Sequence, residues 1–434
     1  MISYHNKLGA VCRSASFGLS RELWLVQTGV FLNTFGWGAV LPFEVIYLHD
    51  GRGFGLTAAG LIVGTITGLA VVAAPLAGTV IDSVGARAVA ALAGLALAVG
   101  YVGLACSRWF AVSLAAAAVA GIGNGALNPA QSTLLAALAR PELRHRATAV
   151  SRVSTNLGFG IGGAVGGVVA SVGLDGFLAL FFVNAATYVI YVCVLLAVVD
   201  AEPRRAAQPG GYRQVLGDPA FRRLALANTA VIAVGWGVLP WVIPPYAQHE
   251  LGVRPGSIGL MMLVNAGAVI ACQVPIARLA EGRRRTIMMG TGAGAIALSL
   301  VVVLFARHVG GGAFAALLVA ACGIGIGECF YTAALMPLVA DIAPLELRGR
   351  YMAATGFSWW IGLALAPIVG LQLLSLSPAA TFAASASLAA VAALSLLSLD
   401  RRLPEAARRT PRPVRDASIR GPRHSASASE LLGG

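Results

Sequence analysis

Apolar residues in this chain run in long blocks broken by short polar clusters, not in the three-and-four spacing of a soluble amphipathic helix. A helix crossing a bilayer needs roughly 20 apolar residues. Twelve blocks reach that length: Leu23–Leu48, Ala58–Ile81, Ala88–Cys106, Trp109–Leu138, Thr148–Val172, Phe177–Val199, Leu224–His249, Ile258–Leu279, Thr286–Ala306, Ala313–Val339, Tyr351–Leu374 and Ala379–Leu399. Several are long enough to require tilt. The longest polar break is Asp200–Arg223, whose Glu-Pro-Arg-Arg and Gln-Pro-Gly-Gly stretches read as a flexible connector. The pattern predicts an all-α membrane protein with 12 transmembrane helices in two pseudo-symmetric halves. Its parts are a cytoplasmic tail over 1–21, six-helix bundles over 22–199 and 224–399, a linker over 200–223, and a disordered basic tail over 400–434.

The two halves repeat each other in sequence. Gly121-Ile122-Gly123-Asn124 returns as Gly325-Ile326-Gly327-Glu328, and Glu142-Leu143-Arg144-His145-Arg146 returns at the same offset as Glu346-Leu347-Arg348-Gly349-Arg350. Gly158 maps onto Gly362 and Gly166 onto Gly370, while Gly36-Trp37-Gly38 reappears as Gly235-Trp236-Gly237. Twin halves around a central site are the architecture of secondary transporters. Within the best-matched block the polar mismatch is Asn124 against Glu328, so one copy carries an ionisable group where the other is neutral.

Composition removes other classes. Charged residues make up 11% of the chain, against about 25% in a soluble domain. The net charge of +13 invites a nucleic-acid reading, but its distribution excludes one: with both termini in the cytoplasm, inner segments carry 27 of the 31 Lys and Arg, and the outer loops only Arg52, Arg108, Arg254 and Arg307. That bias is the positive-inside pattern of topology. The six cysteines form no CxxC or Cys/His metal spacing, and no GxSxG, P-loop or HExxH occurs, so neither an enzyme, a cofactor nor a metal is expected. Residues before Arg21 lack the apolar core of a cleavable signal peptide.

After the second block the chain reads Gly78-Thr79-Val80-Ile81-Asp82-Ser83-Val84-Gly85-Ala86-Arg87. This resembles the GxxxDxxGxR loop of the major facilitator superfamily, and lies between spans two and three as it does there. The resemblance implies the major facilitator fold and a latch on the cytoplasmic side. Gly78 would permit close helix approach, Asp82 supply a carboxylate, Gly85 a sharp turn and Arg87 a counter-charge. Gly158, Gly162, Gly166 and Gly167 resemble the GxxxGPxxGG motif of the bacterial drug:proton antiporter branch, with Gly163 where proline is usual. A four-residue spacing puts Gly158, Gly162 and Gly166 on one face, a smooth surface for a neighbour, either sliding or static. An arginine that such exporters place before a Gly-x-Gly in span four is Ala118 here. Arg348 and Arg350, at an inner helix end, read as topology anchors and gating charges.

Candidate chemistry follows from depth and helical phase. A charge in lipid costs several kcal/mol or is neutralised by a proton, so Glu328, in mid-span ten, and Glu44, in the outer half of span one, are candidates for proton coupling. Glu44 lies near the span end and is equally compatible with outer-side water. Asn33, Trp37 and Glu44 fall within about 40° of one helical face. Asn124, Asn128 and Gln131 share another. Spans seven and eleven add Asn228, Trp236 and Trp360 as substrate-binding candidates, while Asn184 and Asn265 are assigned to interhelical hydrogen bonding. The expected activity is proton-coupled export of a small, partly apolar compound by a monomer in a bacterial inner membrane. Substrate, protons and membrane lipid are its partners, and the proton gradient is its energy source. The alternatives are a proton-coupled uptake symporter and a non-transporting receptor or assembly factor of the same fold.

Overall fold

The computed structural model describes residues 19–139, 144–199, 212–344 and 347–410, together with the backbone but not every side chain at the inner helix ends. Eleven continuous helical segments among them are long and apolar enough to cross a membrane. The longest, Arg285–Ile342, has 58 residues. A straight helix of that length would extend about 87 Å, nearly three times the hydrocarbon core. It folds back instead through a 3-10 turn at Ala306–Gly312, where Gly310 takes φ 56°. Opened there, the segments become the twelve rods that hydropathy predicts.

In chain order the rods are α1 (Arg21–Gly51), α2 (Leu56–Val84), α3 (Ala86–Cys106), α4 (Phe110–Leu138), α5 (Arg144–Ala170) and α6 (Leu174–Val198). The second half comprises α7 (Pro219–His249), α8 (Pro255–Ala280), α9 (Arg285–Phe305), α10 (Ala313–Ile342), α11 (Arg350–Leu376) and α12 (Pro378–Leu399). In the first half α1 packs on α5 and α6, α4 on α2 and α3, and α3 on α6. Adding six to each number reproduces the packing of the second half. Two long seams join the halves, α5 against α8 and α2 against α11, and these too exchange under the same operation.

Both seams close on the outer side, the side away from the start of α1. A Cβ placed on Gly60 or Gly64, early in α2, would strike Pro367, Leu371 or Ile368 of α11, whereas Gly68 and Gly78 further along have nothing within 4 Å. On the other seam Gly167 and Gly259 meet backbone to backbone, and contact continues to Gly160 against Ala266, midway along both helices. The halves touch at their outer ends and diverge inward. Gly78, expected to support close approach, therefore has no neighbour in this state. Gly85 does make the predicted turn, at φ 92° between α2 and α3.

Two boundaries shift. Residues 212–223, expected within a flexible connector, are helical: Tyr212–Gly217 forms a short helix, and Asp218 caps α7 by accepting from the backbone N–H of Ala220 (2.8 Å) and Phe221 (3.2 Å). Residues 400–410, expected disordered, are docked. Asp400 pairs with Arg284 at 2.7 Å and accepts from Thr286 Oγ1 at 2.7 Å, while Arg285 donates to the Ala407 carbonyl. The remaining tails, 1–18 and 411–434, and linker residues 200–211 lie outside the described residues.

Candidate functional site

A central cavity of about 330 Å³ lies between the halves. Helix periodicity builds most of its wall. Asn33 and Trp37 reach it from α1, and Asn124, Asn128 and Gln131 from one stripe of α4. From the second half come Trp236 of α7, Glu328 of α10 and Trp360 of α11. Further wall residues are not among the binding candidates from sequence: Asn156 and Phe159 of α5, Tyr188 of α6, Trp241 of α7 and Asn265 of α8; Trp359, beside Trp360 in the span-eleven stripe, lines the cavity as well. Five of the seven tryptophans line this one cavity, so its surface is dominated by aromatic faces. Trp37 lies against Phe159, ring centroids 5.6 Å apart, and Trp236 against Trp359 at 5.1 Å. Such tilted contacts fix the rings as rigid walls.

Glu328 is the one acidic or basic side chain on the wall among the described residues, and it is only 8% exposed. Asn265 shares the cavity wall with it and donates to the Ala321 carbonyl at 3.1 Å. Asn265, assigned from sequence to helix gluing alone, thus does that and faces the cavity as well. Asn184 does not reach it; it is fully buried on α6, beside Gly36.

Asn228 lies off the cavity, with no exposed surface. Its amide donates to Ser358 Oγ at 2.7 Å and its oxygen accepts from Tyr331 OH at 3.0 Å, tying α7 to α11 and α10. A helical phase shows which residues share a face but not which neighbour that face meets, so α7's asparagine and tryptophan went to different surroundings.

Glu44 is 2% exposed and does not face outer water. It accepts from Tyr101 OH of α3 at 2.9 Å and from Trp241 Nε1 of α7 at 3.2 Å. One carboxyl group thereby bridges the two halves just outside the cavity. The chain bends there: α1 passes through a 3-10 turn at Leu41–Phe43, and α7 carries a π turn at Ala233–Gly237 followed by Pro240, Pro244 and Pro245. Proline removes an N–H and crowds the preceding turn, which membrane helices tolerate when other groups satisfy the freed carbonyls. The bent outer ends of α1 and α7 roof the cavity with Leu41, Leu239, Pro240 and Trp241.

The glycine series of α5 divides. Cβ atoms on Gly158, Gly162 and Gly166 would strike the backbone of Phe31, Phe35 and Ala39 in α1, within the same half. Gly362 and Gly370 meet α7 in the repeated arrangement. The surface presented to the other half is instead Gly160, Gly163 and Gly167, against Ala266, Met262 and Gly259 of α8. Arg87 donates to the Leu196 carbonyl at 2.7 Å, capping α6. The side chains of Asp82 and Arg348 lie outside the described residues, and Arg350 is half-buried at the inner start of α11.

A sequence profile described as Major Facilitator Superfamily matches residues 28–234 and 225–432. The chain is 25% identical over 367 residues to the MFS-type transporter YttB of Bacillus subtilis, covering 81% of this chain and 88% of that one. It is 26% identical over 371 residues to the multidrug resistance protein MdtH of Aeromonas hydrophila, covering 80% and 85%. Among solved structures, a peptide transporter POT in complex with sulfate superposes with TM-score 0.74 at 16% identity, over 89% of this chain and 95% of the other. A POT family transporter in complex with 5-aminolevulinic acid gives 0.75 at 14% identity, over 89% and 97%. Two six-helix halves around a central cavity, and a profile match over both of them, make this multi-pass membrane protein a member of the Major Facilitator Superfamily of transporters.

Proposed function

We propose that the protein exports a small, partly apolar compound from the cytoplasm in exchange for protons, by alternating access. The observation that carries this reading is Glu328, a nearly buried carboxyl group on an aromatic and amide wall that holds no basic residue among those described. A carboxyl group in such a place is held neutral by a proton or by a cationic partner, so proton and substrate can compete for it. Flat indole faces suit a planar or cationic ligand; an anionic one would want arginine or lysine on the wall. The positive-inside bias supports an open end of the cavity facing the cytoplasm, where an exporter loads, and relatives named as multidrug resistance proteins are compatible with that direction. The pseudo-equivalent seams suit two halves rocking about the site.

The test uses inverted membrane vesicles from overproducing cells, with ethidium and Hoechst 33342 as probes. An acid interior should drive accumulation of at least one dye, and Glu328→Gln should abolish the dependence on the gradient. Unchanged gradient-driven accumulation in Glu328→Gln overturns the coupling role. Accumulation driven only by the opposite gradient replaces export with symport.

A further inference from the structure

The outer ends of α1 and α7 bring together three side chains of metal-binding type. His49 and Asp50 close α1, and His249 closes α7. One ligand atom from each lies within 4.8 Å of the others. We propose that these residues form a transition-metal site of the zinc, nickel or copper class, bridging the two halves on the outer face.

The hydrogen bonds prepare the ligands. His49 Nδ1 is 2.7 Å from the Phe54 carbonyl oxygen, which can only accept, so that nitrogen carries the proton. In the neutral ring, Nε2 then presents its lone pair. A backbone carbonyl on the far nitrogen is the usual way a metal-binding imidazole is oriented. Asp50 is held similarly: Gln248 Nε2 donates to its Oδ2 at 2.7 Å. His249 Nε2 stands 3.0 and 3.2 Å from the two Asp50 oxygens, and a cation can enter there once the Nε2 proton moves to Nδ1, which leaves the ring neutral. Zinc with ligands at about 2.0–2.1 Å sets neighbouring ligand atoms roughly 3.3 Å apart in a tetrahedron. The Asp50–His249 pair is already near that value, and a ring nitrogen of His49 lies within 4.8 Å of both. Its ring stands edge-on to that of His249, centroids 5.1 Å apart.

The donor set decides the class of ion. Two imidazoles and one carboxylate favour zinc, nickel or copper, whereas calcium and magnesium prefer oxygen donors. Water would complete the shell, because Asp50 and His249 are both about one-third exposed. Neither half holds all three ligands, so the site exists only while the outer ends are together. A bound ion therefore stabilises the outer-closed arrangement by simple linkage.

The experiment is zinc titration of the purified full-length protein, carrying no polyhistidine tag, by calorimetry, with nickel as a second probe. One site that EDTA empties is expected, and it should weaken at least tenfold in His49→Ala and, separately, in His249→Ala. The two substitutions lie on opposite halves, so loss in both marks a bridge. Zinc should also raise the melting temperature of the parent and not that of either variant, which separates loss of the site from misfolding. No binding by the parent at 100-fold excess zinc overturns the proposal, as does binding that survives either substitution.

Discussion

The seam between α5 and α8 makes a demanding test of how the halves are held. A Cβ on Gly259 would lie 2.5 Å from the Gly163 carbonyl oxygen and 3.0 Å from Gly167 Cα. An ordinary carbon contact is about 3.5 Å, so in Gly259→Ala α8 must retreat by up to about 1 Å wherever the outer ends are closed. Overpacking of this kind costs about 1–3 kcal/mol. The penalty falls only on the outer-closed arrangement and should shift the facing equilibrium by a factor of about 5–150. Gly162→Ala is the control, because its Cβ would fall against Phe35 and Ala39 of α1, inside one half. That cost is common to both facing states and leaves their ratio unchanged. The assay labels Asn128→Cys, on the cavity wall, in a cysteine-free background with an impermeant maleimide. Right-side-out vesicles report outer access and inverted vesicles report inner access. Gly259→Ala should speed outer-face labelling by roughly the factor above. Equal outer-face rates in Gly259→Ala and the parent, or the same acceleration in Gly162→Ala, would refute the reasoning.

Three further outcomes are expected. Trp241→Phe removes the indole donor to Glu44 across the halves, about 1 kcal/mol or more of outer closure, and the same maleimide assay should show several-fold faster outer labelling. Asn228→Ala strands Ser358 and Tyr331, so it should lower the melting temperature with little change in dye KM; Asn128→Ala should do the reverse. At the inner face Arg285, 2% exposed, pairs at 2.6 Å with Asp341, 40% exposed. Asp341→Ala leaves the buried cation with only its backbone acceptors and should destabilise by about 1–3 kcal/mol, more than Arg285→Leu, as read by thermal unfolding.

Twelve rods, their pairing into halves and much of the cavity wall were legible because each depends on short-range regularities. Apolar length sets the rods, and the helical repeat aligns Asn124, Asn128 and Gln131. What escaped depends on partners distant in the chain. Glu44 reads equally as a coupling carboxyl or a water-facing one until Trp241, 197 residues later, is seen to donate to it. Gly160, Gly163 and Gly167 interleave with Gly158, Gly162 and Gly166, and local pattern alone cannot say which series meets α1 and which meets α8. Residues 212–223 and 400–410 read as loops by composition, yet caps and ion pairs from Asp218 and Asp400 order them.

The crowding of indoles around the cavity turns the molecule into its own optical probe. With Trp24 and Trp109 as the remaining members of the set, most ultraviolet emission must originate where a guest would sit. Occupancy should therefore register as quenching or a spectral displacement in unmodified protein, before any radiolabelled cargo has been identified.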